Sequence, residues 1–190
     1  MISERPTLMN IPDLKAVLEN AECLYSKVEV EAALDKLAAE LNAAYKDAHL
    51  LILCVMIGAL IPLGQLVTRL HFPLEVDYIH ATRYGNAKQG GELKWLVKPG
   101  TSLKDRQVLI FDDIMDGGLT LAEIMNYCRE AGVKEVKSAV MVNKLRTREA
   151  GVNLEPDFIG LNTPDRFLFG FGLDYEGYLR NLPEIYAIKE

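Results

Sequence analysis

The chain has 190 residues, enough for one α/β domain with a full core. Hydrophobic residues at 49% and charged residues at 25% are ordinary globular values, and no repeat, low-complexity tract or linker divides the chain. A net charge of -6 disfavours nucleic acid and anionic membrane as partners.

In chain order, residues 1–12 carry Glu4, Arg5 and Pro6 without the apolar stretch of a signal peptide, and they read as an extended arm. Leu14, Val17 and Leu18 share one face of a short helix predicted over 13–20. Residues 21–25 fit strand or helix. Ser26 is a good N-cap with Glu29 as its capping-box partner. It opens a helix over 27–45 whose apolar stripe is Val30, Ala33, Leu34, Leu37, Ala38 and Leu41. The unbroken apolar run at 50–55 predicts a buried strand, and a helix then runs to about residue 70. Gly58 and Pro62 interrupt this segment, so it is too short and broken to span a bilayer. Alternation at 75–81 and the run at 92–97 read as strands around a polar, glycine-rich connection. Further strands are expected at 108–111, 135–142 and 156–161, with a helix between the first two that stops at Ala131-Gly132. Cys54 and Cys128 sit in apolar segments as buried thiols, and none of the three cysteines has metal-binding spacing. That usage fits a reducing cytoplasm.

The informative stretch is Val-Leu-Ile-Phe-Asp-Asp-Ile-Met-Asp-Gly-Gly-Leu-Thr at 108–120. A buried strand ends in the adjacent acids Asp112 and Asp113; Asp116, Gly117 and Gly118 follow, then Leu119 and Thr120 at a helix start. Ligands of open α/β sheets bind at the carboxyl ends of strands. Backbone N–H groups at the helix start suit a phosphate, and Thr120 can cap the helix or bond that phosphate. Vicinal hydroxyls of a ribose, or magnesium, are natural partners for Asp112 and Asp113. Together these parts describe a cradle for ribose 5-phosphate.

This run resembles the phosphoribosyl-pyrophosphate (PRPP) motif of type I phosphoribosyltransferases, with one departure: Gly117 stands where that family most often has threonine. Around Ile57-Gly58 the chain is similar to the hypoxanthine-guanine branch, whose pyrophosphate loop often reads Lys-Gly; here only the backbone is available. The resemblance extends from about Cys23 to the C-terminus and implies several roles. Arg83 and Tyr84 belong to a lid over the pyrophosphate, useful because an oxocarbenium-like state must be kept from water. Lys144, just past its strand, bonds the purine 6-oxo group, and its neighbours Asn143, Leu145, Arg146 and Arg148 could form a basic patch. Phe167 stacks on the purine and Leu168 offers it backbone groups, while Phe169, Phe171 and Tyr175 belong to the core. Asp174, with Asp112 and Asp113, attends a magnesium ion, and Arg180 meets the pyrophosphate.

The expected fold is therefore a single α/β domain over 1–190, with a mainly parallel twisted sheet flanked by helices. A small hood is expected from the terminal segments, with about 156–182 contributing the base-binding part. The activity implied is transfer of the phosphoribosyl group from PRPP to hypoxanthine or guanine, with Asp116 as general base, Mg2+ as cofactor, and a homo-oligomer as the working form. The alternatives are a PRPP-binding regulator on the same fold and an enzyme preferring xanthine.

Overall fold

A computed structural model describes residues 13–83 and 93–189. The arm at 1–12 and the lid residue Tyr84 lie outside the described residues.

The central sheet has six strands in the order β4-β3-β2-β5-β6-β7: β2 (Leu50–Met56), β3 (Leu74–Arg83), β4 (Leu93–Val97), β5 (Gln107–Met115), β6 (Glu135–Lys144) and β7 (Phe158–Thr163). All pairings are parallel except β3 with β4. Period-two geometry sends alternate residues of each strand to opposite faces. Leu50, Ile52 and Cys54 therefore pack with α2 (Lys27–Tyr45) and α3 (Leu60–Val67). Leu51, Leu53 and Val55 pack with α4 (Leu119–Glu130). Both faces are covered, which is why these strands read as unbroken apolar runs.

From β2 the chain passes through α3 to β3 on one side, and from β5 through α4 to β6 on the other. The order reverses between β2 and β5, and the loops leaving their carboxyl ends diverge around a crevice.

Local signals set the helices. Ser26 Oγ accepts from Glu29 N (3.4 Å) and Ser26 N donates to Glu29 Oε2 (2.8 Å), so the anticipated capping box opens α2. The helix α3 is shorter than expected, ending at Val67 rather than near 70. Thr68 Oγ1 and Arg69 Nη1 both donate to Gln65 O (2.8 and 2.7 Å), replacing the N–H that a further turn would supply. The strand β6 runs two residues beyond its expected end because Asn143 and Lys144 pair with Asn162 and Thr163 of β7, leaving Lys144 in the strand's last position.

A second sheet joins the ends of the chain. β1 (Ala21–Tyr25), ambiguous in sequence, is a strand because it pairs with β9 (Ile185–Ile188), which also pairs with β8 (Leu168–Phe169). The short helix α1 (Leu14–Glu19) precedes it. The hood draws on both ends of the chain, as expected, but of the expected 156–182 contribution residues 158–163 belong instead to the main sheet, where β7 pairs with β6. Arg166 ties the two ends together, its Nη1 meeting Glu22 Oε2 at 2.5 Å and its Nη2 donating to Ile188 O at 2.8 Å. Leu168, Phe171, Leu173, Ile185 and Ala187 join the core beneath α2 and α3.

Candidate active site

The crevice between β2 and β5 collects most of the residues singled out in the sequence. Asp112 is buried within β5, which runs on to Met115 because Ile114 and Met115 still pair with β6, past the acids where the sequence reading ended the strand; its Oδ1 accepts from Asp113 N at 2.9 Å. Burial pushes the Asp112 carboxyl well above the ordinary carboxylate range, and the neighbouring Asp113 charge adds to this. Asp113 is also raised by burial, against the opposing pull of its Asp112 hydrogen bond and the Arg180 guanidinium. No cation among the described residues forms an ion pair with either acid.

Across the crevice, the Met56–Ile57 peptide is cis, Ile57 is exposed and Gly58 is buried. A Cβ on Gly58 would stand 1.7 Å from Asp113 Oδ2, so only glycine lets the acid lie against this loop. The hood closes on the same spot: a Cβ on Gly172 would fall 2.2 Å from Gly58 O. Arg180 donates to Gly172 O (2.6 Å) and pairs with Asp174 (2.7 Å), while Asp174 Oδ2 also accepts from Gly177 N (2.7 Å). Gly58, Asp113, Arg180 and Asp174 thus meet, although they come from three distant parts of the sequence.

Gly118 takes a φ of 85° and is the N-cap of α4, without a side-chain cap. That conformation is natural only for glycine. Leu119 and Thr120 form the first turn. Of the two roles expected of Thr120, capping is excluded because the residue lies inside the helix rather than at its cap. The turn lies at the carboxyl end of β5, just past Met115.

Asp116 lies between two cations. Arg146 Nη1 reaches its Oδ1 at 2.8 Å and Lys144 Nζ its Oδ2 at 3.4 Å. Asp165 faces the same pair, at 3.4 Å from Lys144 and 3.5 Å from Arg146. Arg148 donates to the carbonyls of Asp116 and Lys144 (both 3.0 Å) and to Asn143 Oδ1 (2.6 Å), and pairs with Glu155 (2.7 Å). The basic patch expected around Lys144 therefore does not exist: each cation is matched by an acid, because the loop after β6 folds back over the acidic end of β5.

In the hood, Phe167 is 54% exposed and meets Tyr175 edge-on at 5.8 Å, whereas Phe169 and Phe171 are buried as expected. Leu168 is buried in β8. Arg83 ends β3. Burial pushes the thiols of Cys54 and Cys128 up to about 12 and about 11, matching their reading as inert core groups. Among the described residues no cluster of three metal-ligating side chains is ready-made, and no helix is long and apolar enough to cross a membrane.

Three residues escaped the sequence reading as members of the site: Arg146 (seen only as part of a patch), Asp165 and Glu149. Arg146 and Glu149 pair locally at i,i+3, but their contacts with Asp116 and Gly117, and those of Asp165 with Lys144 and Arg146, span about twenty to thirty residues that no local pattern links.

A buried acid pair, a glycine turn at a helix start and a second glycine loop thus converge at the switch point of a mainly parallel sheet. Residues 20–176 match the phosphoribosyl transferase domain family. The chain is 35% identical over 167 residues to a hypoxanthine-guanine phosphoribosyltransferase of Bacillus subtilis, covering 87% of this chain and 92% of that one. It is 31% identical to a hypoxanthine-guanine-xanthine phosphoribosyltransferase of Tritrichomonas foetus, covering 88% and 91%. A crystal structure of a hypoxanthine phosphoribosyltransferase from Staphylococcus aureus shares the fold, with a TM-score of 0.85 at 24% identity over 95% of this chain and 97% of that one. The chain belongs to the phosphoribosyltransferase family, in its hypoxanthine-guanine branch.

Proposed function

We propose that the chain transfers the 5-phosphoribosyl group of PRPP to hypoxanthine or guanine, giving the nucleoside monophosphate and pyrophosphate in purine salvage. One observation carries the reading: near the end of β5, Asp112 and Asp113 lead into the helix start at Gly118, and Asp113 lies against the Gly58 loop. Two phosphate-accepting backbones thus flank one pair of hydroxyl-accepting acids, as PRPP requires.

In this reading Asp112 and Asp113 hold the ribose hydroxyls, and the backbone N–H groups of Asp116, Gly117, Gly118, Leu119 and Thr120, with the Thr120 hydroxyl, hold the 5-phosphate. The backbone of Ile57 and Gly58, with Arg180, receives the pyrophosphate, under Arg83 and Tyr84 as lid. Lys144 lies 3.4 Å from each of two acids, so a purine 6-oxo group can take over one of those bonds. Lysine donates only, which favours a 6-oxo group over a 6-amino group. Phe167 presents its exposed ring for stacking, and Leu168 offers backbone groups to the base edge. Asp116 accepts the N7 proton as N9 attacks C1, and its carboxylate also stabilises positive charge developing there.

Carboxylates without a cationic partner are the hard oxygen donors that magnesium prefers. Asp112 and Asp113 have no such partner among the described residues and would hold the ion with oxygens from PRPP, whereas Asp174, paired with Arg180, would reach it through water. An ion held by these residues would supply positive charge to the departing pyrophosphate.

The whole chain acts as one domain, in the cytoplasm, as a homo-oligomer. Support for assembly comes from Leu60, Val76 and Tyr78, which are exposed around an apolar cavity of about 340 Å³ between α3 and β3. Sedimentation at micromolar protein should show a dimer or larger species; a lone monomer would refute assembly. The activity is tested by incubating the protein with PRPP, magnesium and hypoxanthine or guanine. Nucleoside monophosphate should form, and chelating the magnesium should stop it. Absence of product with every purine base would overturn the reading.

A further inference from the structure

The turn that opens α4 contains an acid that its own run does not supply. Glu149 lies in the loop after β6, and its N–H bonds Gly117 O at 3.0 Å. Its side chain folds onto that glycine: a Cβ at 117 would stand 2.5 Å from Glu149 Cγ and 3.0 Å from its Oε1. The space in which residue 117 would carry a side chain is therefore filled by a carboxylate. Arg146 tethers it from the far side, Nη2 to Oε1 at 3.8 Å, while Nη1 of the same arginine holds Asp116 at 2.8 Å.

An ionised carboxylate only accepts hydrogen bonds, so it offers nothing to a phosphate oxygen and repels its charge. We propose that Glu149 is a negative gate on the ribose 5-phosphate subsite, competing with the phosphate for the turn and weakening the hold on PRPP and on the product nucleotide. The inference rests on reading 116–120 as the 5-phosphate cradle. A weaker hold has a use, because product release limits many well-evolved enzymes. Glycine at 117 is what lets the gate sit there.

Glu149→Gln keeps the shape and removes the charge. Calorimetric titration with ribose 5-phosphate should give binding about two- to fivefold tighter than wild type, the range of a half-exposed charge pair. The gain should shrink as salt rises from about 0.05 to 0.5 M. Pyrophosphate, which belongs at the Gly58 loop, should bind the variant and the wild type alike. Glu149→Ala should shift ribose 5-phosphate in the same direction, with an unchanged melting midpoint as the folding check. Unchanged ribose 5-phosphate affinity in both variants, or an equal gain for pyrophosphate, overturns the gate. If the wild type binds pyrophosphate but no ribose 5-phosphate, the cradle reading fails and the gate fails with it. Ribose 5-phosphate binding without any Glu149 effect sinks the gate alone.

Discussion

Asp116 and Asp112 are acids four residues apart on one strand and its turn, yet their surroundings assign them different work. Asp116 is half-exposed and held between Arg146 and Lys144, and it is proposed to accept the proton of the base. Replacing it by asparagine keeps the shape and removes the proton acceptor. Turnover should fall by about 10²- to 10⁴-fold while PRPP affinity stays nearly constant. Unchanged turnover would remove Asp116 from the mechanism. Asp112 is buried beside Asp113, and its raised proton affinity has a consequence for stability. The folded state binds more protons than the unfolded chain, so this group costs stability as pH rises from its ordinary unfolded value, about 3.9, through the raised folded one. Asp112→Asn removes that cost and can still accept from Asp113 N. The variant should melt higher than wild type at neutral pH, and the gap should close as pH falls through the raised value. A variant less stable than wild type at neutral pH would contradict this. Function and stability are opposed at this position, as expected where an acid is buried for a ligand.

At the scale of elements, the turn from β5 into α4 depends on Gly118. Its φ of 85° suits glycine, and a Cβ there would meet Met115 Cε at 2.6 Å and Val152 Cγ1 at 3.0 Å. Gly118→Ala should cost at least about 1 kcal/mol from the backbone alone. For a chain of this length that lowers the thermal midpoint by about 2–4 °C or more, and ribose 5-phosphate binding should weaken as well. An unchanged midpoint would show that the turn has other conformations open to it. In the hood, Phe167 is exposed where its neighbours Phe169 and Phe171 are core. Phe167→Ala should raise the base KM by about five- to a hundredfold, the worth of one stacked base, with little change in thermal stability. Equal loss of PRPP affinity would instead mark a general distortion of the hood.

Across the whole molecule, what the sequence made legible divides by distance along the chain. The apolar strands, the capping box at Ser26 and Glu29, and the turn at 116–120 are local patterns, and each was readable because its partners lie within a few residues. Residues 21–25 were ambiguous because their strand state is imposed by β9, at the other end of the chain. The same distance hid the acid–base network around Asp116: Lys144 and Arg146 read as a surplus of positive charge until the fold placed Asp116 and Asp165 against them. The departure at Gly117 was visible, but its counterpart Glu149 was not. Helix lengths erred where side chains, as at Thr68 and Arg69, close the last turn.

The crevice is proposed to join a 6-oxopurine to PRPP, with Lys144 choosing the base. Pyrophosphate release with PRPP and magnesium, measured in parallel with hypoxanthine, guanine, xanthine and adenine, tests it most directly. Release is expected with hypoxanthine or guanine and not with adenine, with xanthine showing how far the 2-position is tolerated. Release with adenine at a rate equal to hypoxanthine, or no release with any base despite measurable PRPP binding, would contradict it.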